Sequence, residues 1–94
     1  MRDVIRKHVP VTELLAGMAE EAAELAQAAL KLRRVLDGTN PTPVKEEEAT
    51  EQLYEEVADV TLYLNILGVP ISYITGLMEA KQKRWVERLV KHDE

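Results

Sequence analysis

The sequence predicts an all-α domain: a bundle of two long antiparallel helices with a third packed across them, completed by oligomerisation. Three observations carry that prediction. Apolar residues recur at three- and four-residue spacing from Leu14 to Leu36, from Leu53 to Leu67 and from Ile74 to Leu89, the period of an amphipathic helix rather than of a strand. Prolines are confined to positions 10, 41, 43 and 70, so the stretches between them run unbroken and their short connections favour antiparallel neighbours. Phenylalanine is absent and alanine is abundant in the first half, which suits close helix packing better than a sheet built on aromatic pairs.

The 94 residues are read as one domain, residues 1–94, with little interior to bury alone. Oligomerisation, as a homodimer or homotetramer, is the expected remedy. A net charge of -5 argues against a partner that is a nucleic-acid polymer, whose usual protein footprint is a basic patch or stripe. A small anionic ligand held through metal ions is compatible with it. The chain has no Cys, which excludes disulfides and thiolate metal sites. No apolar run approaches the length of a membrane span, and Met1 to Pro10 is charged where a signal peptide needs an apolar core. The expectation is a cytoplasmic protein with no membrane partner.

In chain order, Met1 to Val9 suits a short amphipathic turn through Val4, Ile5 and Val9, cut off by Pro10. Thr12 is the expected N-cap of the first long helix, which Asp37 and Gly38 end. Thr42 and Pro43 suit the cap and first position of the second, where Glu46, Glu47 and Glu48 complement the helix dipole as a solvated run. Gly68 and Pro70 stop this helix after Leu67. Leu62 and Ile66 lie off its main stripe, which implies more than one neighbour. Ser72 is the expected cap of a third helix running to about Val90.

The first two long helices share one acidic frame. Glu20-Glu21-Ala22-Ala23-Glu24-Leu25 is repeated in pattern by Glu55-Glu56-Val57-Ala58-Asp59-Val60. Residues three apart on a helix are neighbours, so Glu21 pairs with Glu24 and Glu56 with Asp59. On an ideal wheel of about 100° per residue with Glu21 at the origin, Leu14 and Leu32 fall at about 20°, Leu25 at about 40° and Glu24 at about 300°. With Glu56 at the origin, Leu67 falls at about 20°, Val60 at about 40° and Asp59 at about 300°. Each helix therefore carries one carboxylate inside its apolar stripe and one at the edge. Ionised carboxylates there need compensation. A hard divalent cation supplies it without His or Cys, which suits magnesium, manganese or calcium rather than zinc. Glu20 and Glu55 fall at about 260°, outside the stripe, and are read as solvated.

On the third helix, Lys81 shares the apolar face of Ile74, Met78, Trp85 and Leu89, and Arg84 and Arg88 flank it. Such cations either neutralise the carboxylates or hold phosphate oxygens. Trp85 and Tyr63 are read as core aromatics before base-stacking ones. Asn65 is expected at the surface, and His8 and His92 are terminal and outside any ligand spacing.

This constellation resembles the MazG-type all-α nucleoside triphosphate pyrophosphohydrolases, from about Thr12 to Arg88. The resemblance implies an oligomeric, magnesium-dependent enzyme that cleaves a nucleoside or deoxynucleoside triphosphate to the monophosphate and pyrophosphate, with nucleotide-pool sanitisation as a common role. By the same resemblance Glu21, Glu24, Glu56 and Asp59 match the magnesium ligands, and Lys81 and Arg88 match basic positions near the phosphates, with Arg84 beside them. Trp85 stands where family members often carry Asn. In the chemistry this implies, water attacks the α-phosphorus, pyrophosphate leaves, and a cluster carboxylate, Glu20 or Glu55 takes the proton.

The alternative reading is a non-catalytic helical dimerisation or regulatory module whose acidic groove binds a basic partner or a structural cation. A ferritin-like iron site needs Glu-x-x-His on two helices, and Gln27 and Leu62 stand at the two His positions.

Overall fold

The computed structural model describes residues 1–39 and 44–93. Every regular element in them is an α-helix: α1 Arg2–His8, α2 Val11–Asp37, α3 Glu46–Leu67 and α4 Ile71–Asp93. The all-α class stands, with four helices rather than three. Thr42 and Pro43, the expected start of the second long helix, lie outside the described residues.

Pro10 starts α2. Its extended backbone, at φ -61° and ψ 152°, presents a carbonyl that accepts from the Glu13 and Leu14 N–H groups at 3.0 Å each. Thr12, the expected cap, is therefore already inside the first turn. A proline just outside a helix loses nothing, because its fixed φ suits the position and its missing N–H had no partner to find. At the far end Gly38 takes the left-handed conformation, φ 75°, and donates its N–H to the Arg34 carbonyl. Asp37 fixes the exit by accepting from the Thr39 hydroxyl at 2.6 Å and the Thr39 N–H at 3.0 Å. Those bonds hold the Asp37 carboxyl below its ordinary range.

Lys45 precedes α3, and Glu46, Glu47 and Glu48 are exposed in its first turn, as a solvated run complementing the dipole requires. The helix ends at Leu67 with Gly68 at φ 75°. Here α1 finds its role. Arg6 Nε donates to the Ile66 carbonyl, and Arg2 Nη1 to the Asn65 carbonyl at 3.4 Å. The Asn65 carbonyl also accepts from the Gly68 N–H at 3.0 Å, and at both carbonyls the guanidinium charge complements the negative end of the helix dipole. Arg6→Ala is expected to cost about 1 kcal/mol of stability, read from urea unfolding. An unchanged midpoint and slope would mean that α1 does not hold the end of α3.

α2 and α3 form the antiparallel pair that holds the core. Leu14 and Ile66 line one small apolar cavity, Tyr63 lies over Gly17, and Lys31 Nζ donates to Gln52 Oε1 at 3.2 Å, so numbers rise on one helix as they fall on the other. Leu14, Ala28, Ala49 and Ile66 are the buried residues of this core. A side chain at Gly17 would collide with the Tyr63 ring. Gly17→Ala is expected to lower the melting temperature, because overpacking costs about 1–3 kcal/mol against a helix-propensity gain of about 1 kcal/mol. A higher melting temperature would show the ring swinging aside freely.

The third long helix departs from expectation. The Pro70 carbonyl accepts from the Ile74 N–H at 3.1 Å, so α4 starts at Ile71, with Ser72 inside its first turn, and it continues past Val90 to Asp93. It does not pack across the pair. None of its residues is buried, only Ile74 is half-buried, and its contact with the other helices is marginal. The short Gly68–Val69–Pro70 corner leaves α4 projecting from the end of α3. Trp85, expected in the core, is 63% exposed, and Leu62 is likewise uncovered, whereas Ile66 on the same flank is shielded. The radius of gyration is 17.3 Å, against about 12 Å for a compact chain of this length. Among the described residues no helix is long and apolar enough to cross a membrane.

Candidate functional site

The repeated acidic frames meet across the α2/α3 pair. Because the helices run antiparallel, the inward carboxylate of one frame faces that of the other. Glu21, Glu24 and Glu56 each bring a carboxylate oxygen within 4.8 Å of the other two. Glu21 and Glu56 are half-buried and Glu24 is exposed, which matches their places on the ideal wheels. Asp59 is half-buried beside them and acts on Glu21 and Glu56 through its charge, but lies outside the close trio.

Two atoms set the electrostatics. Glu21 Oε2 and Glu56 Oε2 are shut off from solvent and have no hydrogen-bond partner. Burial pushes the Glu21 carboxyl up to about 7, helped by the charges of Glu24 and Asp59. Burial also raises Glu56, again with Glu24 and Asp59 contributing. A desolvated carboxylate beside other carboxylates holds its proton, and a cation entering the trio takes that proton's place. All the donors are hard oxygens, the set that suits a hard divalent cation such as magnesium, manganese or calcium. The orphaned oxygens and the close trio therefore fit such an ion.

Beside the trio lies an open, polar cleft of about 450 Å³, bordered by Glu24, Glu55 and Glu56 and, farther along, by Gln27, Lys31 and Gln52. Glu55 is exposed and lines this cleft, whereas Glu20, its counterpart in the repeat, does not. Gln27, Lys31 and Gln52 escaped the sequence reading. Their signal was present: Gln27 and Lys31 lie three and seven residues after Glu24, on its helix face, and Gln52 one turn before Glu56.

Lys81, Arg84 and Arg88 are not brought to this site within the chain. All three are exposed on α4, which packs against neither pincer. Tyr63 sits in the helix pair against Gly17, as a core aromatic. Asn65 is exposed, and so are both histidines.

No family model matches the chain, and neither a curated protein nor a solved structure matches it.

Proposed function

We propose that the chain is a MazG-like pyrophosphohydrolase that hydrolyses a ribo- or deoxyribonucleoside triphosphate to the monophosphate and pyrophosphate with magnesium, or manganese in its place. One observation carries the reading: two carboxylates from two copies of one sequence frame bring oxygens within 4.8 Å of each other, and each has an oxygen shut off from water without a hydrogen-bond partner. Folding tolerates such atoms when a ligand completes them. The choice of substrate rests on the family resemblance of the two frames and the basic helix.

Glu21, Glu24 and Glu56, with Asp59 adjacent, would hold the metal. The chemistry magnesium would supply there is neutralisation of the phosphate oxygens and polarisation of the phosphorus toward attack. The chain's own residues do the rest. The cleft gives the triphosphate a place beside the trio. Glu55, exposed on its wall, would accept a proton from the attacking water. Lys31, tethered to Gln52, supplies donors at the far end of the cleft.

A second reading is favoured by one observation, that the cations of α4 stand away from the site within the chain. It makes the protein a non-catalytic module holding a cation in its acidic groove. Pyrophosphate release from a panel of ribo- and deoxyribonucleoside triphosphates, with magnesium or chelator, separates the two. Magnesium-dependent release supports the enzyme. Release from none, by a folded chain, overturns it and leaves the module.

A further inference from the structure

Along the α2/α3 pair the carboxylate site is closed on one side and open on the other. Gly17 lies one turn before Glu21 and Tyr63 one turn after Asp59, and the Tyr63 ring fills the space that a side chain at position 17 would take. Between these helices a ligand anchored at the trio extends the other way, into the cleft of about 450 Å³ that Gln27, Lys31 and Gln52 border. Sites for small molecules have volumes of about 300–1,000 Å³.

Gln27 and Lys31 follow Glu24 by three and seven residues, which is about 4.5 and 10.5 Å along a helix axis. From a phosphate at the trio, that is the reach of a sugar and then of a base. Charge favours the same assignment. The cleft walls carry the carboxylates of Glu24, Glu55 and Glu56 against one cation, Lys31. Away from the metal position such walls repel phosphate and admit an uncharged group. Gln27 and Gln52 add two primary amides, groups that hydrogen-bond the edges of bases.

The hydrogen bond from Lys31 Nζ to Gln52 Oε1, 3.2 Å long, decides what these side chains read. An ammonium group has donors and no acceptor, so Gln52 must turn its amide oxygen to Lys31. Its NH2 group is left as a donor, and Lys31 keeps two further N–H groups. Lys31 and Gln52 together therefore offer donors to a bound base. A ring carbonyl satisfies them, as guanine satisfies lysine in nucleic-acid recognition. An exocyclic amine in the same place sets donor against donor and leaves both unpaired.

We infer that this end of the cleft holds the nucleotide base, and that Lys31 and Gln52 select bases carrying a carbonyl where adenine and cytosine carry an amine. The position of the phosphates rests on the function proposed above. The choice of carbonyl over amine rests on the fixed Gln52 amide.

Matched substrates test the inference on the full chain. Inosine and adenosine triphosphates differ by one exchange of carbonyl for amine, and so do uridine and cytidine triphosphates. With magnesium, kcat/KM for pyrophosphate release is expected to be at least about tenfold higher for the carbonyl member of each pair. Lys31→Met is expected to bring both ratios close to one. Gln52→Glu leaves an acceptor where the donor stood, and is expected to shift both ratios toward the amine member. The ratios of the natural chain decide even where a variant fails to fold. Equal kcat/KM within both pairs overturns the base subsite and leaves the catalytic reading standing, as does a preference unchanged in both folded variants.

Should the natural chain release no pyrophosphate, calorimetric titration with the α,β-imido analogues of the same four nucleotides decides. Tighter binding of the carbonyl members, lost in Lys31→Met, supports the base subsite and overturns the catalytic reading alone. Equal binding, or none, overturns both.

Discussion

Glu56→Gln is expected to release pyrophosphate more than about 100-fold more slowly than the natural chain, while melting at a higher temperature in the absence of divalent cations. The two effects have one origin. Glu56 Oε2 has neither solvent nor a hydrogen-bond partner, and burial with the charges of Glu24 and Asp59 raises its proton affinity. An amide of the same shape removes that charge without leaving a hole. Merely disturbing a group that orients a metal ligand costs about 10–100-fold in metal affinity or activity, so losing a ligand itself costs more. Opposite signs of the two effects distinguish a functional carboxylate from a structural one, whose replacement would lower stability and activity together. Circular dichroism melts with chelator and pyrophosphate assays with magnesium provide both readings. Turnover equal to that of the natural chain would remove Glu56 from the site.

The parts of this architecture written in local sequence were legible, and those that depend on partners were not. The ends of α2 and α3 at Asp37 and Leu67 follow from Gly38 and Gly68, whose left-handed backbone is a local property. The inward placement of Glu21 and Glu56 follows from helical periodicity alone, which also puts Glu24 at the edge. Asp59 is half-buried although Glu24, at the same place on its own wheel, is exposed, a difference that periodicity does not carry. The starts of α2 and α4 were misplaced onto Thr12 and Ser72. In both cases a proline carbonyl received the first helical N–H groups, and no hydroxyl was needed. Arg2 and Arg6 could not be assigned from sequence, since their acceptors lie 63 and 60 residues away. α4 is the instructive failure. Its amphipathic pattern announces a buried face, but the pattern does not say whether the covering surface belongs to the same chain.

The metal-free protein is expected to lose thermal stability as the pH rises from about 4.5 to about 7 and beyond, and magnesium is expected to restore it at the alkaline end. The direction follows from Glu21, which burial and its acidic neighbours push from 4.5 to about 7. Between those values the folded chain binds more protons than the unfolded one, so each step up in pH favours unfolding. Glu21 therefore contributes stability that is fully present below its ordinary value and is gone once the pH passes about 7. Glu56 shifts in the same direction. Asp37 is shifted the opposite way, below 3.8, so its contribution is lost only as the pH falls through that lower range. Magnesium binds the deprotonated carboxylates, and so stabilises the folded chain strongly at about pH 8 and weakly at about pH 5, where protons compete. Glu21→Gln should flatten the pH dependence and diminish the response to magnesium together. Melting temperatures taken across this range at one protein concentration, with magnesium or with chelator, check every limb. A melting temperature that stays constant from about pH 5 to pH 8 and ignores magnesium would mean that Glu21, Glu24 and Glu56 do not act as one cation-binding unit.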